Sequence, residues 1–141
     1  RYRLCTSSAQ RFTQKRIQYP RLLLWNMFFT LDMGMIIPRG HFAPPPRVDS
    51  AILKIDRRAR PLIPVGKGKP FIAFATYLLR EPRLAAAHAL KGIFTPEQLK
   101  RTLKHAKLDR EQAIYTLSPE QWSSLFTAML QHVASYRWPK I

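Results

Sequence analysis

The stretch His41-Phe42-Ala43-Pro44-Pro45-Pro46-Arg47-Val48-Asp49-Ser50 sets an aromatic ring, a stiff backbone and a cation side by side. Each of the three prolines lacks a backbone donor and holds φ at about −65°, which excludes a helix interior or a central strand and makes the segment a rigid loop. An aromatic residue ahead of such a loop is held at little entropic cost and can offer its face to a ligand. Two roles fit Phe42. It can stack on a nucleobase, a contact worth about 1–3 kcal/mol and enough to hold a nucleotide drawn out of its helix, or it can cap the core beneath the loop.

Little else in the chain is arranged for catalysis. There is no glycine-rich phosphate loop, no metal-spaced pair of histidines and no G-x-S-x-G turn. His41, His88, His105 and His132 fall in separate elements with no shared spacing, as ordinary surface or core histidines do. A single cysteine, Cys5, excludes an internal disulfide framework and a cysteine-based zinc site, and it fits a reducing, cytoplasmic setting. No metal is expected.

Charge speaks more clearly. Lys and Arg number 24 against 8 Asp and Glu, a formal charge of +16. Such an excess attracts polyphosphate at long range, so nucleic acid is the first partner implied and an anionic membrane surface the second. The longest apolar stretch, around Leu22 to Met35, is broken by Asn26, Thr30, Asp32 and Gly34, short of the roughly 18 apolar residues that a spanning helix needs. No membrane association is expected. The opening RYRLCTSSAQRF is basic without an apolar h-region, so no secretory signal is expected, and it has no initiator Met, so the natural start is expected to lie elsewhere.

At 141 residues and 46% hydrophobic, the chain can bury one ordinary core and a small second unit. Ser8 to Tyr19 reads as one short surface helix. Pro20 fits a first helical position, with Leu22, Trp25, Met27 and Phe29 lining a largely buried helix after it. MGMIIP reads as a short buried strand closed by Pro38, and Ala51 to Ile55 as a second strand, so the proline loop joins a hairpin. The basic run Arg57, Arg58 and Arg60 follows. ARPLIPVGKGKP, with its prolines and glycines and no periodicity, reads as a linker over 61–69.

The remainder is expected to be helical. Phe71, Phe74, Ala75, Leu78 and Leu79 follow the spacing of one helix face, stopped by Pro82, and a short helix follows from Leu84 to Lys91. TPEQL and SPEQW then repeat one helix start: Thr95 and Ser118 as N-caps, Pro96 and Pro119 at the first helical position, Gln98 and Gln121 closing capping boxes. They predict helices over 96–106 and 119–135. The first turns Leu99, Leu103 and Ala106 one way and Lys100, Arg101, Lys104 and Lys107 largely the other. Almost no acidic residue interleaves, so a solvated face and a phosphate-contacting face are both open readings.

IPRGHFAPPPRVDSAILKI resembles the F-x-P-x-P-x-V-x-S segment of the rRNA adenine N6-methyltransferases, a family that holds housekeeping 16S dimethylases and macrolide-resistance 23S enzymes. IFTPEQLKRTLKHAKLD, followed by LSPEQWSSLF, is similar to the small C-terminal helical domain of the resistance branch. Together the likeness covers most of Pro20 to Met129. It implies an α/β fold followed by an all-α part: the C-terminal part of a Rossmann-like methyltransferase domain over residues 1–60, then the linker, then a helical rRNA-binding domain over 70–141. It also implies S-adenosylmethionine as methyl donor, an adenine of 23S rRNA as acceptor, and resistance to macrolides, lincosamides and streptogramin B; a monomer is expected.

By this resemblance Phe42 is the aromatic that stacks on the flipped adenine, and Pro44 and Pro46 fix its loop. Arg39, Arg47, Arg57, Arg58 and Arg60 lie where cations can hold rRNA phosphates, with Lys100, Arg101, Lys104 and Lys107 as a second set. Gly34 and Asp32 have no assigned role. The family's glycine-rich turn, its acidic ribose-binding residue and its N-[IL]-P-[YF] loop do not occur in the sequence, and RYRLCTSSAQ matches the family poorly. An adenine amine is a poor nucleophile that must be oriented in line with the donor methyl. A chain without the donor site and the orienting loop is expected to be inactive alone and to leave apolar surface open around Trp25, Phe28 and Ile36. The alternatives are a non-catalytic basic rRNA-binding protein and the 16S dimethylase branch.

Overall fold

The computed structural model describes residues 2–5 and 19–141. The helix expected over Ser8 to Tyr19 lies outside the described residues except for Tyr19. Two compact units form: Tyr2–Cys5 with Phe29–Ala59, and 19–28 with Arg60–Ile141.

The first unit is a three-stranded antiparallel sheet. Its strands are β1 (Tyr2–Cys5), β2 (Phe29–Ile37) and β3 (Ser50–Arg57), in the order β1-β3-β2. Register on the β2 side runs from Phe29 opposite Arg57 to Ile37 opposite Ser50, with a shift between Met33 and Ile36. Gly34 sits in that irregularity, where an added Cβ would lie 3.1 Å from the Ile52 carbonyl oxygen, so the close backbone approach favours glycine. β2 begins four residues ahead of the expected MGMIIP strand, and it is not buried. Met33, Met35 and Ile36 are 40%, 68% and 49% exposed, and β2 is an edge strand of the sheet. Leu31, Ala51 and Leu53 are buried.

The second unit contains α1 (Pro20–Phe28), α2 (Gly68–Leu78), α3 (Ala86–Ala89), α4 (Pro96–His105) and α5 (Pro119–His132). α1 buries Leu23 and Met27, one turn apart, against α2 and α5. The expected buried face is therefore corrected at two positions: Trp25 points away and is exposed, and Phe29 opens β2 instead of ending the helix. Phe71, Phe74, Ala75 and Leu78 of α2 are buried as their spacing predicts. They meet Trp122 and Phe126 of α5, with Phe71 edge-on to Phe126 at 5.2 Å and Phe74 edge-on to Trp122 at 6.1 Å between centroids. Each such pair adds about 0.5–1.5 kcal/mol beyond its buried area.

α1 thus belongs to the helical unit although it directly precedes β2 in sequence. The 61–69 segment also docks: Ile63 is buried, the Leu62 amide donates to the Met27 carbonyl at 2.8 Å, and the Ser123 hydroxyl donates to the Leu62 carbonyl. Its lack of periodicity reflects proline-rich packing, in which one side chain inserts without a repeating face. The short helix expected over Leu84 to Lys91 is one α turn, α3, continued by a 3-10 turn over Leu90–Gly92.

Both capping boxes form. Thr95 Oγ1 accepts from the Gln98 amide at 3.4 Å and Gln98 Oε1 from the Thr95 amide at 3.0 Å; Ser118 and Gln121 repeat this at 3.2 and 3.0 Å. These bonds satisfy donors that would otherwise be orphaned at each helix start. α5 ends at His132, short of the expected 135.

Candidate nucleic-acid interface

The loop that joins β2 to β3 is held by polar ties of its own. After Pro38 the chain makes a 3-10 turn over Arg39–His41, in which the His41 amide donates to the Pro38 carbonyl at 3.1 Å and the Phe42 amide to the Arg39 carbonyl at 3.3 Å. The Arg39 amide donates to Asp49 Oδ1 at 2.9 Å, which closes the loop across its mouth, and Arg39 Nη1 reaches the Arg47 carbonyl at 3.5 Å. Phe42 follows in extended conformation, half-buried, ahead of a cis Ala43–Pro44 peptide. Pro44 is exposed and Pro46 half-buried.

Arg39 and Arg47 therefore meet in one loop beside Phe42. Arg57 does not join them: it ends β3, whose first residue, Ser50, borders the loop, so the strand separates them by about 23 Å at 3.3 Å per residue. Arg58 is half-buried, and Arg60 falls in the helical unit. Lys54 and Asp56 form an exposed ion pair at 3.0 Å on β3.

On α4, Leu99, Thr102 and Leu103 are buried and Lys100, Arg101 and Lys104 exposed, so the two faces fall as expected apart from the buried hydroxyl of Thr102. The cations do not share one surface. Lys100 borders a groove of about 580 Å³ that is also lined by His88, Lys91, Leu99, Leu103 and Arg110. Arg101 borders another, about 540 Å³, formed by α4 and α5 with His105, Ser123, Ser124 and His132. Lys104 lines neither.

Lys107 occupies the position after the Ala106 C-cap with a φ of 53°, a left-handed conformation in which glycine is usual. Its amide bonds the Lys104 carbonyl at 3.2 Å and the next amide, of Leu108, bonds the Leu103 carbonyl at 2.9 Å, which is the Schellman pattern. Lys107 is thus a helix-terminating residue as well as an exposed cation.

Lys91 and Arg110 escaped the sequence reading. Periodicity cannot join positions on either side of α4; backbone pairing does. The Ala86 amide donates to the Gln112 carbonyl at 2.8 Å and the Ile114 amide to the Leu84 carbonyl at 3.0 Å, an antiparallel contact that draws the 110–114 segment against the start of α3.

Over residues 7–131 the sequence matches the model of the ribosomal RNA adenine dimethylases. The chain belongs to this family. An rRNA adenine N-6-methyltransferase of Bacillus licheniformis is 40% identical over 137 residues, which are 94% of this chain and 46% of that protein. The ribosomal RNA small subunit methyltransferase A of Enterococcus faecalis is 35% identical over 107 residues, 72% of this chain and 36% of that protein. The chain thus spans about half the length, or less, of these relatives. The crystal structure of the 23S rRNA methyltransferase ErmE superposes with a TM-score of 0.72 at 22% identity, over 92% of this chain and 53% of that one, so the dimethylase-family fold extends to most of these residues.

Dimethylase-family enzymes take their methyl group from S-adenosylmethionine, and the described residues do not fit that donor. Gly34, Gly40, Gly66, Gly68 and Gly92 are scattered among a bulge, turns and helix ends instead of forming a glycine-rich strand-turn. Among the described residues no group of three His, Cys, Asp or Glu is placed to hold a metal ion, and no helix is long and apolar enough to cross a membrane.

Proposed function

We propose that this chain carries the target-base loop and the helical RNA-contact region of an enzyme that methylates N6 of an adenine in 23S rRNA, with S-adenosylmethionine bound by a preceding catalytic half. Phe42 stacks on the extruded adenine, and Pro44 and Pro46 hold its backbone. Arg39 and Arg47 take phosphates next to that base. Arg57, Arg58, Arg60, Lys100, Arg101, Lys104 and Lys107 supply the wider electrostatic hold. The observation that carries this reading is the closed loop: the Arg39 amide bonded to Asp49 sets a half-buried aromatic, two arginines and three prolines on one rigid connection.

The resistance branch, with methylation that blocks macrolides, lincosamides and streptogramin B, is taken as the first reading on the resemblance of IFTPEQLKRTLKHAKLD and LSPEQWSSLF to its helical domain, while the small-subunit methyltransferase of Enterococcus faecalis also matches 72% of this chain. The latter match is the reason to keep the 16S branch as the second reading. The described residues form no glycine-rich turn for that donor, so the chain alone is expected to bind RNA and to transfer no methyl group.

One chimera tests both readings. The N-terminal half of the Bacillus licheniformis relative is joined to this chain and supplied with radiolabelled S-adenosylmethionine and separate 23S and 16S rRNA. Label on N6 of an adenine in 23S rRNA is the expected outcome. Label confined to 16S rRNA would establish the second reading, and no label on either would refute the enzymatic one.

A further inference from the structure

Outside the proline loop, the groove of about 580 Å³ between α3 and α4 gathers more positive charge than α4 alone contributes. Lys91 comes from the 3-10 turn after α3, Lys100 from α4 and Arg110 from the segment beyond it; His88 adds an imidazole and Glu111 the one carboxylate among the described lining residues. All five side chains are exposed. None of Lys91, Lys100 and Arg110 has an ion-pair partner among the described residues. Its floor is apolar, formed by Phe94, Leu99 and Leu103, each below 10% exposed.

Cations left unpaired around an apolar floor keep their full attraction for an outside anion, while the floor offers no hydrogen bonds to base edges. Such a surface recognises a polyphosphate backbone and ignores sequence. The structural cost of the arrangement is visible: three separate elements place three cations around one groove, held by the antiparallel contact of Ala85 with Ala113.

We infer that this groove is a phosphodiester-binding track for RNA, with Lys91, Lys100 and Arg110 on the phosphates, separate from the Arg101 groove on the other side of α4. The inference rests on the RNA-binding reading above and narrows it to one face of the helical unit. RNA is taken as the occupant in preference to an acidic protein segment because the chain belongs to the ribosomal RNA adenine dimethylases and the groove's unpaired cations match a polyphosphate backbone.

The test uses the whole chain and a fluorescein-labelled single-stranded RNA of mixed sequence, with anisotropy followed across a salt series. Replacing both outer cations, Lys91→Gln with Arg110→Gln, removes two phosphate contacts and is expected to flatten the log–log salt slope by roughly 1.4 for a single strand. The same charge loss at exposed positions off the groove, Lys67→Gln with Lys69→Gln, is expected to change it by less than half as much. A second RNA of different sequence should bind equally. Equal effects of the two double variants would overturn the groove while leaving RNA binding intact. No salt-dependent binding by the unaltered chain would overturn the RNA reading and the groove together. Displacement of the RNA by polyglutamate as effectively as by unlabelled RNA of equal charge would overturn RNA as occupant in favour of an acidic protein. Thermal midpoints of both variants within about 2 °C of the unaltered chain, as exposed polar substitutions allow, make the comparison one of binding.

Discussion

Phe71, Phe74, Trp122 and Phe126 of the helical unit are at most 1% exposed, whereas Met33, Met35, Ile36 and Val48 of the sheet unit stand 40% to 68% exposed. The helical unit has enough facing surfaces to exclude water from its aromatic core, so apolar burial holds it together. The proline loop of the sheet unit depends on other forces. It is ordered by fixed proline φ angles and by the Arg39–Asp49 and Arg39–Arg47 hydrogen bonds, which need no deep core. Substitutions should therefore act on stability in one region and on ligand geometry in the other.

The largest contrast is expected at the aromatic core. Phe126→Ala should lower unfolding stability by about 3–5 kcal/mol, while Met35→Ala on exposed β2 should change it by about 0.5 kcal/mol or less; urea titrations of the two variants compare them. If Met35→Ala proved as damaging, the exposed face of β2 would have a partner within the chain. Next comes the loop closure. Asp49→Ala leaves the exposed Arg39 amide to water instead of its charged acceptor, a loss of about 0.5–1.5 kcal/mol locally, which should accelerate hydrogen exchange at Arg39 by roughly twofold to tenfold without moving the exchange of α5.

The helix caps should follow at about 1 kcal/mol each. Thr95→Ala and Ser118→Ala each remove a capping-box acceptor, and both should lower the thermal midpoint of the helical unit while leaving the loop untouched. Smallest is a gain. Lys107→Gly relieves a left-handed backbone and should raise stability by about 0.5–1 kcal/mol, while the lost cation weakens RNA binding. A Lys107→Gly variant that gained stability and kept its RNA affinity would remove Lys107 from the interface.

The helical unit was the more legible of the two because its signals are local. TPEQL and SPEQW specify caps within four residues, and Phe71 to Leu78 specify a buried face by spacing alone. The hairpin was legible from the stop at Pro38 and the proline run. What was not legible depends on partners distant in sequence. Nothing in Pro20–Phe28 says that Leu23 and Met27, and not Trp25, will meet α2 and α5. Gly34 becomes meaningful only beside Ile52, and Lys91 and Arg110 only once Ala86 pairs with Gln112. The four cations from Lys100 to Lys107 read largely as one face, yet Lys100 and Arg101 border different grooves because consecutive helical residues lie about 100° apart.

The most direct test of the account is Phe42 in the methylating chimera, with methyl transfer and RNA affinity measured on the same preparations of the unaltered, Phe42→Tyr and Phe42→Leu forms. Stacking predicts that Phe42→Tyr retains transfer, that Phe42→Leu loses about fivefold to 150-fold, as expected for about 1–3 kcal/mol, and that RNA affinity falls less than transfer while the thermal midpoint hardly moves. Equal losses of transfer, affinity and stability in Phe42→Leu would contradict the account and make Phe42 a packing residue of the loop.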